Sequence, residues 1–371
     1  MKFVCAPDKF KLACSAEQAA QALAAGVREA LPGAEIEQLP LADGGEGTLS
    51  VLAAAFPHRV KARVKDALGR DVDAEYALNA DRTSVLIESA QSCGLFRLQE
   101  FERNPGETNT FGVGQLIAHA LEHKPREILV GLGGSATSDA GMGMAVALGA
   151  KFSDADGKPV EPKGDLLTRV SNIDLSKLDP RLKDVKVRGV CDVQTPLLGP
   201  GGASRKYVLQ KGGTTRMVHK LEQGLAVLAA ACVKHLAFGD PMAAGSGSAG
   251  GLGFGIATFL GGRLEHGART VLQLLEFERR IKGAACVLTG EGSYDALTAD
   301  GKLVSEIASV CKHARVPCVV LAGKIDPAVE IDGVTAAFEI AGFGMRRQDA
   351  LAATPESLTR YARHVARLIA R

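Results

Sequence analysis

The spacing of apolar residues predicts alternating strands and helices at both ends of the chain. Residues 2–6 form a short apolar run typical of a buried strand, and residues 16–31 carry apolar positions at helical spacing. The C-terminal part repeats this pattern, with strands predicted at residues 284–288, 317–321 and 334–340 and helices between and after them. Because strands joined by helices form right-handed βαβ units, the two ends together predict a parallel sheet with helices on both faces.

The middle of the chain has a different pattern. Short strands joined by turns are predicted at residues 59–64, 71–78 and 84–88, which is a meander pattern, followed by a strand at 128–131 and a helix at 140–148. With 371 residues, two domains are expected. The sequence therefore predicts a doubly wound, Rossmann- or flavodoxin-like α/β domain (residues 1–64 plus 283–371). A mixed α/β domain (residues 65–282) is inserted into it, and an active-site cleft is expected between the two.

Composition excludes several classes of protein. The net charge is +2 at pH 7 and no basic stripe is present, which argues against a nucleic-acid-binding protein. No run approaches the ~20 apolar residues of a membrane span, and the polar N-terminus does not resemble a signal peptide. Eight cysteines are scattered without a C-x-x-C pair, as expected of reduced thiols. A cytoplasmic protein without nucleic-acid or membrane partners is predicted, either a monomer or a homodimer.

Two familiar phosphate-binding motifs do not fit. The P-loop pattern G-x-x-x-x-G-K-[ST] does not occur. A G-x-G-x-x-G pattern occurs at residues 245–250, but the preceding Phe238-Gly239-Asp240-Pro241 is not strand-like. Because the dinucleotide-binding version follows a strand directly, this context argues against a nicotinamide dehydrogenase.

A glycine-rich loop at residues 131–141 follows the strand predicted at 128–131. Small residues let the backbone approach an anion, and Ser135, Thr137 and Ser138 add hydroxyl groups. A tight strand-to-helix turn with serine or threonine capping explains the same pattern. The candidate phosphate-binding residues are Gly133, Gly134, Ser135, Ala136 and Thr137.

Acidic residues follow several other predicted strands, and this favours the phosphate interpretation. Asp43, Asp192 and the pair Glu291 and Asp295 lie beside glycines or at strand ends, where a ligand of an open α/β sheet binds. Carboxylates suit Mg²⁺ or a polyol hydroxyl, although an acid that caps a turn gives the same pattern. Phosphoryl transfer needs such carboxylates together with backbone N–H groups and a lysine for the phosphates.

Basic residues near these loops complete the candidate set. Lys211, in Gln210-Lys211-Gly212-Gly213, is the obvious lysine for a phosphate. Lys302 opens a predicted helix, where a positive charge is unfavourable unless an anion is near, although a surface lysine is the simpler interpretation. Asp8 and Lys11 follow the first strand and could orient a small hydroxy acid, with Asp8 as a base; a solvent-facing ion pair is the alternative.

Together these loops resemble the bacterial type I glycerate kinases along nearly the whole chain. The matching motifs are A-P-D-x-F-K at residues 6–11, A-D-G-G-E-G-T at 42–48, N-P…G-x-G-x-L-I at 104–117, G-L-G-G-S-A-T at 131–137, C-D-V at 191–193, Q-K-G at 210–212, G-x-x-G-G-L-G at 247–253 and T-G-E-G at 289–292. Each piece alone is unspecific, whereas the combination is specific.

The resemblance implies transfer of the γ-phosphoryl group of ATP to D-glycerate, usually at the 2-hydroxyl. It implies that the loop at 133–137, with Gly250, Gly251, Lys211 and Lys302, contacts ATP. Asp43, Asp192 and Glu291 would bind Mg²⁺ directly or through water, Lys11 would meet the glycerate carboxylate, and Asp8 or Asp295 would accept the hydroxyl proton. The alternatives are a kinase of another small hydroxy or sugar acid, phosphorylation of the 3-hydroxyl, and a non-catalytic nucleotide-binding sensor.

Overall fold

A computed structural model describes residues 1–299, 302–342 and 345–371. The strands of these residues, β1 to β13 in chain order, are Lys2–Cys5, Glu35–Gln38, His58–Lys65, Asp71–Leu78, Ser84–Glu88, Glu127–Gly131, Lys151–Ser153, Asn172–Asp174, Lys186–Cys191, Arg263–His266, Ala284–Tyr294, Cys318–Ile325 and Ala336–Glu339. The helices, α1 to α14, are Ala16–Ala30, Thr48–Val51, Ala90–Cys93, Phe111–Ala120, Met142–Ala147, Ala203–Tyr207, Thr215–Leu236, Ser248–Phe259, Gly267–Leu274, Phe277–Ile281, Ala296–Ala299, Leu303–Ala314, Arg347–Ala352 and Thr354–Ile369. Short 3₁₀ turns lie at Leu95–Arg97, Glu100–Glu102, Leu121–His123, Gly164–Arg169, Pro180–Asp184 and Leu209–Lys211.

The chain divides into two compact units, each with its own main sheet. The first unit comprises residues 1–43, 50–52 and 267–371, and the second comprises residues 44–49 and 53–266. These borders differ from the predicted 64/65 and 282/283. Because β3 pairs with β4 along its whole length, it groups with the second unit, whereas α9 and α10 group with the first.

The main sheet of the first unit has five parallel strands in the order β13-β12-β11-β1-β2. Successive residues of β12 face opposite sides: Val319 and Leu321 pack with α1 and α14, whereas Val320 packs with Val304 of α12. Helices therefore cover both faces, which confirms the predicted parallel α/β architecture.

Helix α1 begins where the sequence predicts, because Ser15 and Gln18 form a reciprocal cap. Gln18 N donates to Ser15 Oγ (3.2 Å), and Ser15 N donates to Gln18 Oε1 (2.9 Å). Two N–H groups at the helix start are thus satisfied. The buried face of α1, with Leu23 and Val27, packs in one apolar cluster with Leu358 of α14, so the two chain ends share a core.

The main sheet of the second unit is mixed. Its strand order is β10-β9-β6-β5-β4-β3. The pairs β10–β9, β9–β6 and β6–β5 are parallel, whereas the pairs β5–β4 and β4–β3 are antiparallel. The predicted meander is confirmed as β3–β4–β5. Val113, Leu116 and Ile117 of α4 pack in one cluster with sheet residues such as Ile87 and Val130.

Helix α7 is the longest helix of the described residues, at 22 residues. Thr214 caps its start, and Leu221, Leu225 and Leu228 lie on its buried face. Across the described part of the chain, no helix combines the length and apolar character needed to cross a membrane.

Some predicted boundaries are wrong. The segment around Glu291 was expected to be a loop after a strand ending at residue 288, but β11 continues to Tyr294 because β12 pairs with it as far as Ile325. Gly290 fits inside this strand since a Cβ there would lie 2.1 Å from Leu321 O, so no side chain could occupy the space. The helix expected from residue 48 to about 56 is only the short α2; Leu49 O accepts from Arg59 Nη2 instead of continuing a helical ladder.

Candidate active site

Carboxylates of the first unit gather at the carboxyl ends of neighbouring strands. Asp8 follows β1, and its N–H donates to Gly290 O (2.9 Å), so this segment continues alongside β11. Asp8 Oδ1 accepts from Lys9 N (2.7 Å). Glu291 lies inside β11, and one of its oxygens, Oε1, is buried without a hydrogen-bond partner. Among residues 1–299, 302–342 and 345–371, this buried carboxylate oxygen therefore has no donor.

The charges of these carboxylates act on one another. Burial raises the pKa of Asp8 to about 7, with further increases from Asp43 and Glu291 and an opposing effect of Lys9. Burial likewise raises the pKa of Glu291 to about 7, and the charges of Asp295 and Asp43 add to this, against a hydrogen bond with Thr298 and the charge of Lys302. Carboxylates whose charges raise one another's pKa in this way form a site that attracts a cation or a proton.

Replacing Glu291 by glutamine should stabilise the free protein at pH 8, by on the order of 1–3 kcal/mol. The pKa of Glu291 rises from 4.5 to about 7 on folding. The folded protein therefore holds this proton more tightly than the unfolded chain does, and it loses stability as the pH rises from about 4.5 to 7. Urea unfolding should show a larger gain at pH 8 than at pH 5. The exposed Glu278→Gln serves as the control; an equal gain in both variants, or at both pH values, would contradict the account.

Lys302, Asp295 and Lys11 are placed near this group in different ways. Lys302 is the N-cap residue of α12, and its charge lowers the pKa of Glu291. A carboxylate of the same unit is therefore one anion that interacts with this lysine; the adjoining Gly301 lies outside the described residues. Asp295 N donates to Thr298 Oγ1 (3.1 Å). Lys11 is exposed, in a turn whose backbone passes Gly292.

The glycine-rich loop of the second unit is held at its backbone from several sides. Leu95 N donates to Gly134 O (2.8 Å), Ala136 N donates to Cys93 O (2.8 Å), and Thr108 Oγ1 donates to Ala136 O (2.8 Å). The N–H group of Ala136 is therefore already used within the protein, and Ala136 would leave space for a ligand without donating to it. These contacts fix the loop before any ligand is bound, which is the preorganisation that electrostatic catalysis requires.

The predicted helix start after this loop is not where the sequence placed it. The helix expected from residue 140 begins at Met142 and has six residues, with Gly141 in the left-handed region at its start. The reason is that Ala140 and Gly141 both have left-handed backbones, with φ of 52° and 75°, so neither can belong to the first turn of a right-handed helix. A phosphate at residues 133–137 would therefore be bound by the loop and a lysine, and not by a helix that begins at residue 140.

Lys211 is that lysine. It ends the 3₁₀ turn Leu209–Lys211 and is 5% exposed. Its Nζ donates to Thr137 O (2.6 Å) and Ser135 Oγ (3.1 Å). Burial lowers the pKa of Lys211 to about 8, against the opposing effects of Cys93 and Asp139. Sequence reasoning proposed the loop and Lys211 separately, and the fold brings them into direct contact.

Gly250 and Gly251 lie against this arrangement. Both have left-handed backbones, and together with Ala249 they interrupt α8. A Cβ on Gly250 would lie 1.8 Å from Thr137 O and 3.0 Å from Lys211 Nζ. The absence of a side chain at Gly250 is therefore what allows Lys211 to reach the loop.

Replacing Gly250 by alanine should destabilise the protein by about 2–4 kcal/mol and lower kcat, because it adds a backbone clash to a left-handed strain of roughly 1–2 kcal/mol. Gly157→Ala is a matched control, with φ of +79° against +69° and nothing within 4 Å of the added Cβ. Urea unfolding and turnover of both variants measure the difference. Equal losses in the two variants would show that the contact with Thr137 and Lys211 has no special role.

Asp192 belongs to the second unit, whereas Asp8, Asp43 and Glu291 belong to the first. It follows β9, and its Oδ1 is 3.5 Å from Nδ1 of His266, which ends the neighbouring β10. Sequence reasoning missed His266 because a histidine at the end of a short polar strand carries no recognisable pattern. Sequence reasoning also assigned no role to Thr298, which matches a family motif, or to Asp139, which stands inside the glycine-rich loop.

The fit of Mg²⁺ depends on these carboxylates. Mg²⁺ prefers oxygen ligands, commonly one or two carboxylates with water and substrate phosphates. Asp43 and Glu291, whose charges interact, and the unpartnered oxygen of Glu291 fit such an ion. Within residues 1–299, 302–342 and 345–371, no group of three His, Cys, Asp or Glu side chains is arranged to hold a metal alone. Water or phosphate oxygens would have to complete the coordination.

Comparisons with known proteins agree along the whole chain. The sequence model of the Glycerate kinase family matches residues 3–370. The glycerate kinase of Halalkalibacterium halodurans is 38% identical over 367 residues, which cover 98% of this chain and 97% of that protein. The glycerate 2-kinase of Escherichia coli is 37% identical, with 100% and 98% covered. A crystal structure of a putative glycerate kinase 2 from Salmonella typhimurium LT2 superposes with a TM-score of 0.84 at 37% identity, covering 100% of this chain and 98% of that one. The chain therefore belongs to the glycerate kinase family and is a kinase.

Proposed function

We propose that the chain transfers the γ-phosphoryl group of ATP to the 2-hydroxyl of D-glycerate, giving 2-phosphoglycerate and ADP. The observation that carries this proposal is the buried Lys211 ammonium, held against the glycine-rich loop by Ser135 Oγ and Thr137 O. Both acceptors are neutral oxygens, so neither hydrogen bond neutralises the positive charge that a phosphate would need. The similarity to named glycerate kinases supports the acceptor.

The proposed roles follow the chemistry of each group. Residues 133–137, Gly250, Gly251 and Lys211 would bind the ATP phosphates, and Lys302 remains a candidate for the same ligand. Asp43, Asp192 and Glu291 would hold Mg²⁺, directly or through water. The ion would neutralise charge on the phosphates. Lys11 would bind the glycerate carboxylate, and its exposure keeps it accessible to a small acid.

Proton transfer is assigned to Asp8, with Asp295 as the second candidate. A base that takes the hydroxyl proton works best when its pKa lies near the working pH. Burial and neighbouring acids raise the pKa of Asp8 to about 7, which meets this requirement. Asp8 would therefore accept the proton of the 2-hydroxyl as the oxygen bonds to the γ-phosphorus.

Release of ADP from ATP, coupled to a spectrophotometric readout, tests this function with D-glycerate, L-glycerate and tartronate as acceptors. Turnover that requires D-glycerate supports the proposal. Turnover on L-glycerate or tartronate but not on D-glycerate would refute the acceptor. ATP binding without turnover on any small acid would instead favour a nucleotide-binding sensor.

A further inference from the structure

Asp139 is a fully buried carboxylate for which the proposed reaction has no role. It is 0% exposed and lies in the glycine-rich loop, two residues after Thr137. Asp139 Oδ2 accepts from Thr110 N (2.8 Å), Thr110 Oγ1 (2.8 Å) and Gly143 N (3.0 Å), and Oδ1 accepts from Gly141 N (3.4 Å). A buried carboxylate with this many donors is expensive to desolvate, so its retention needs a reason.

These bonds tie together the segments that surround the loop. Thr110, the N-cap residue of α4, also accepts from Met144 N through its Oγ1 (2.9 Å), so α4 and α5 are joined at Asp139. Along the chain, Asp139 follows Thr137, whose O accepts from Lys211 Nζ, and precedes Ala140, whose N donates to Gly250 O (3.1 Å). Asp139 therefore lies in the sequence between a residue that binds the lysine and a residue that binds Gly250, the glycine beside the lysine.

The charge of Asp139 also acts on Lys211. Burial lowers the pKa of Lys211, and the negative groups that oppose this are Cys93 and Asp139. Burial raises the pKa of the Cys93 thiol to about 12, so this thiol is neutral at physiological pH. Burial also raises the pKa of Asp139, but its contacts are all donors, which favour the ionised form. The four donors around Asp139 thus support a negative charge there, and this charge opposes the effect of burial on Lys211.

We propose that Asp139 is a positioning residue whose buried carboxylate, bound by Thr110 and Gly143, holds the Lys211 ammonium on the glycine-rich loop, ready for an anionic phosphate. Asp139 itself need not touch the nucleotide. This inference rests on the proposed function for its biological meaning, but the coupling of the two side chains is a property of the free protein and can be measured without substrate.

The test compares wild type with Asp139→Asn, which keeps the size of the side chain and removes its charge. Protein labelled with ¹³C at lysine Cε reports the ionisation of Lys211 by NMR, with Lys211→Met to assign the signal. The pKa of Lys211 should fall by about one unit or more in Asp139→Asn, and the alkaline limb of kcat/KM for ATP should move down by a similar amount. An unchanged pKa of Lys211 in a folded Asp139→Asn would overturn the proposal.

Two further measurements do not depend on the folding of Asp139→Asn. Wild-type Lys211 should be mainly protonated at pH 7, and a neutral Lys211 there would also overturn the proposal. Thr110→Val, which removes one donor to Asp139, should lower kcat/KM for ATP, and Thr110→Ser should restore it; failure of the serine to restore it would count against the positioning role. If the pKa of Lys211 falls in Asp139→Asn but the wild type does not turn over glycerate, the coupling stands and the proposed function fails. If the wild type turns over glycerate but the pKa of Lys211 does not change in Asp139→Asn, the proposed function stands and the coupling fails.

Discussion

Lys211→Met should lower kcat by about 10²- to 10³-fold while the protein still folds. The ammonium is the buried cation in contact with the glycine-rich loop, and its loss removes stabilisation of the charge that develops on the transferred phosphoryl group. Methionine has similar length and no charge, so the buried position loses an expensive desolvation. Thr137 O and Ser135 Oγ lose their donor and Asp139 loses a nearby cation, so the free energy of unfolding should fall by on the order of 1–3 kcal/mol. Steady-state kinetics and urea unfolding on the same preparations measure both effects.

Lys220→Met is the matched control for this substitution. Lys220 belongs to the same unit, pairs with Asp165 (2.8 Å) and is 49% exposed, so its loss should leave kcat near normal. Near-normal kcat in a folded Lys211→Met would remove the central residue of the proposed phosphate site. Loss of activity together with loss of folding would instead assign Lys211 a structural role.

Asp8→Asn should lower kcat by roughly 10²- to 10⁴-fold and abolish the acid limb of the pH–rate profile. A base must be deprotonated to act, and the pKa of Asp8 is raised to about 7 in the free protein. Activity of wild type should therefore rise as the pH increases toward 7. Because a bound cation lowers the pKa of a nearby carboxyl group, the limb in the loaded enzyme should lie at or below this value.

Asp332→Asn and Asp295→Asn separate the explanations of such a result. Asp332 lies at the surface of the same unit, where it pairs with Lys312, and its variant should behave like wild type. If Asp8→Asn keeps both kcat and the acid limb while Asp295→Asn loses them, Asp295 is the base. If both variants keep them, neither residue accepts the proton.

The periodicity of the sequence predicted the presence of the strands better than it predicted the residues at which they end. Parallel strands such as β1 and β12 are apolar runs between helical patterns. The local spacing of apolar residues is therefore enough to predict that they are buried strands. β11 was cut short at residue 288 because glycines usually interrupt strands, whereas pairing with β12 carries it on to Tyr294. That pairing joins residues about 30 positions apart, and a local pattern cannot show it.

The same limit applies to the candidate site. Lys211 and the loop at 133–137 were identifiable as separate signals, since small residues and a lysine beside glycines suit phosphate. Their direct contact depends on Gly250, whose left-handed backbone leaves the space. The partners of Asp139 are Thr110 and Gly143, and no spacing rule links an acid to a threonine 29 positions earlier. The roles of the site residues, the cytoplasmic location and the oligomeric state stay predictions.

Phosphorus NMR of the product formed from ATP and D-glycerate tests the central claim most directly. Transfer to the 2-hydroxyl should give a new phosphomonoester signal split into a doublet by the single proton on C2, with ADP formed in equal amount. This signal should be strongly reduced in Lys211→Met and normal in Lys220→Met. A triplet, from a phosphate on the CH₂ group of C3, would contradict the proposed position, and no phosphomonoester at all would contradict the proposed reaction.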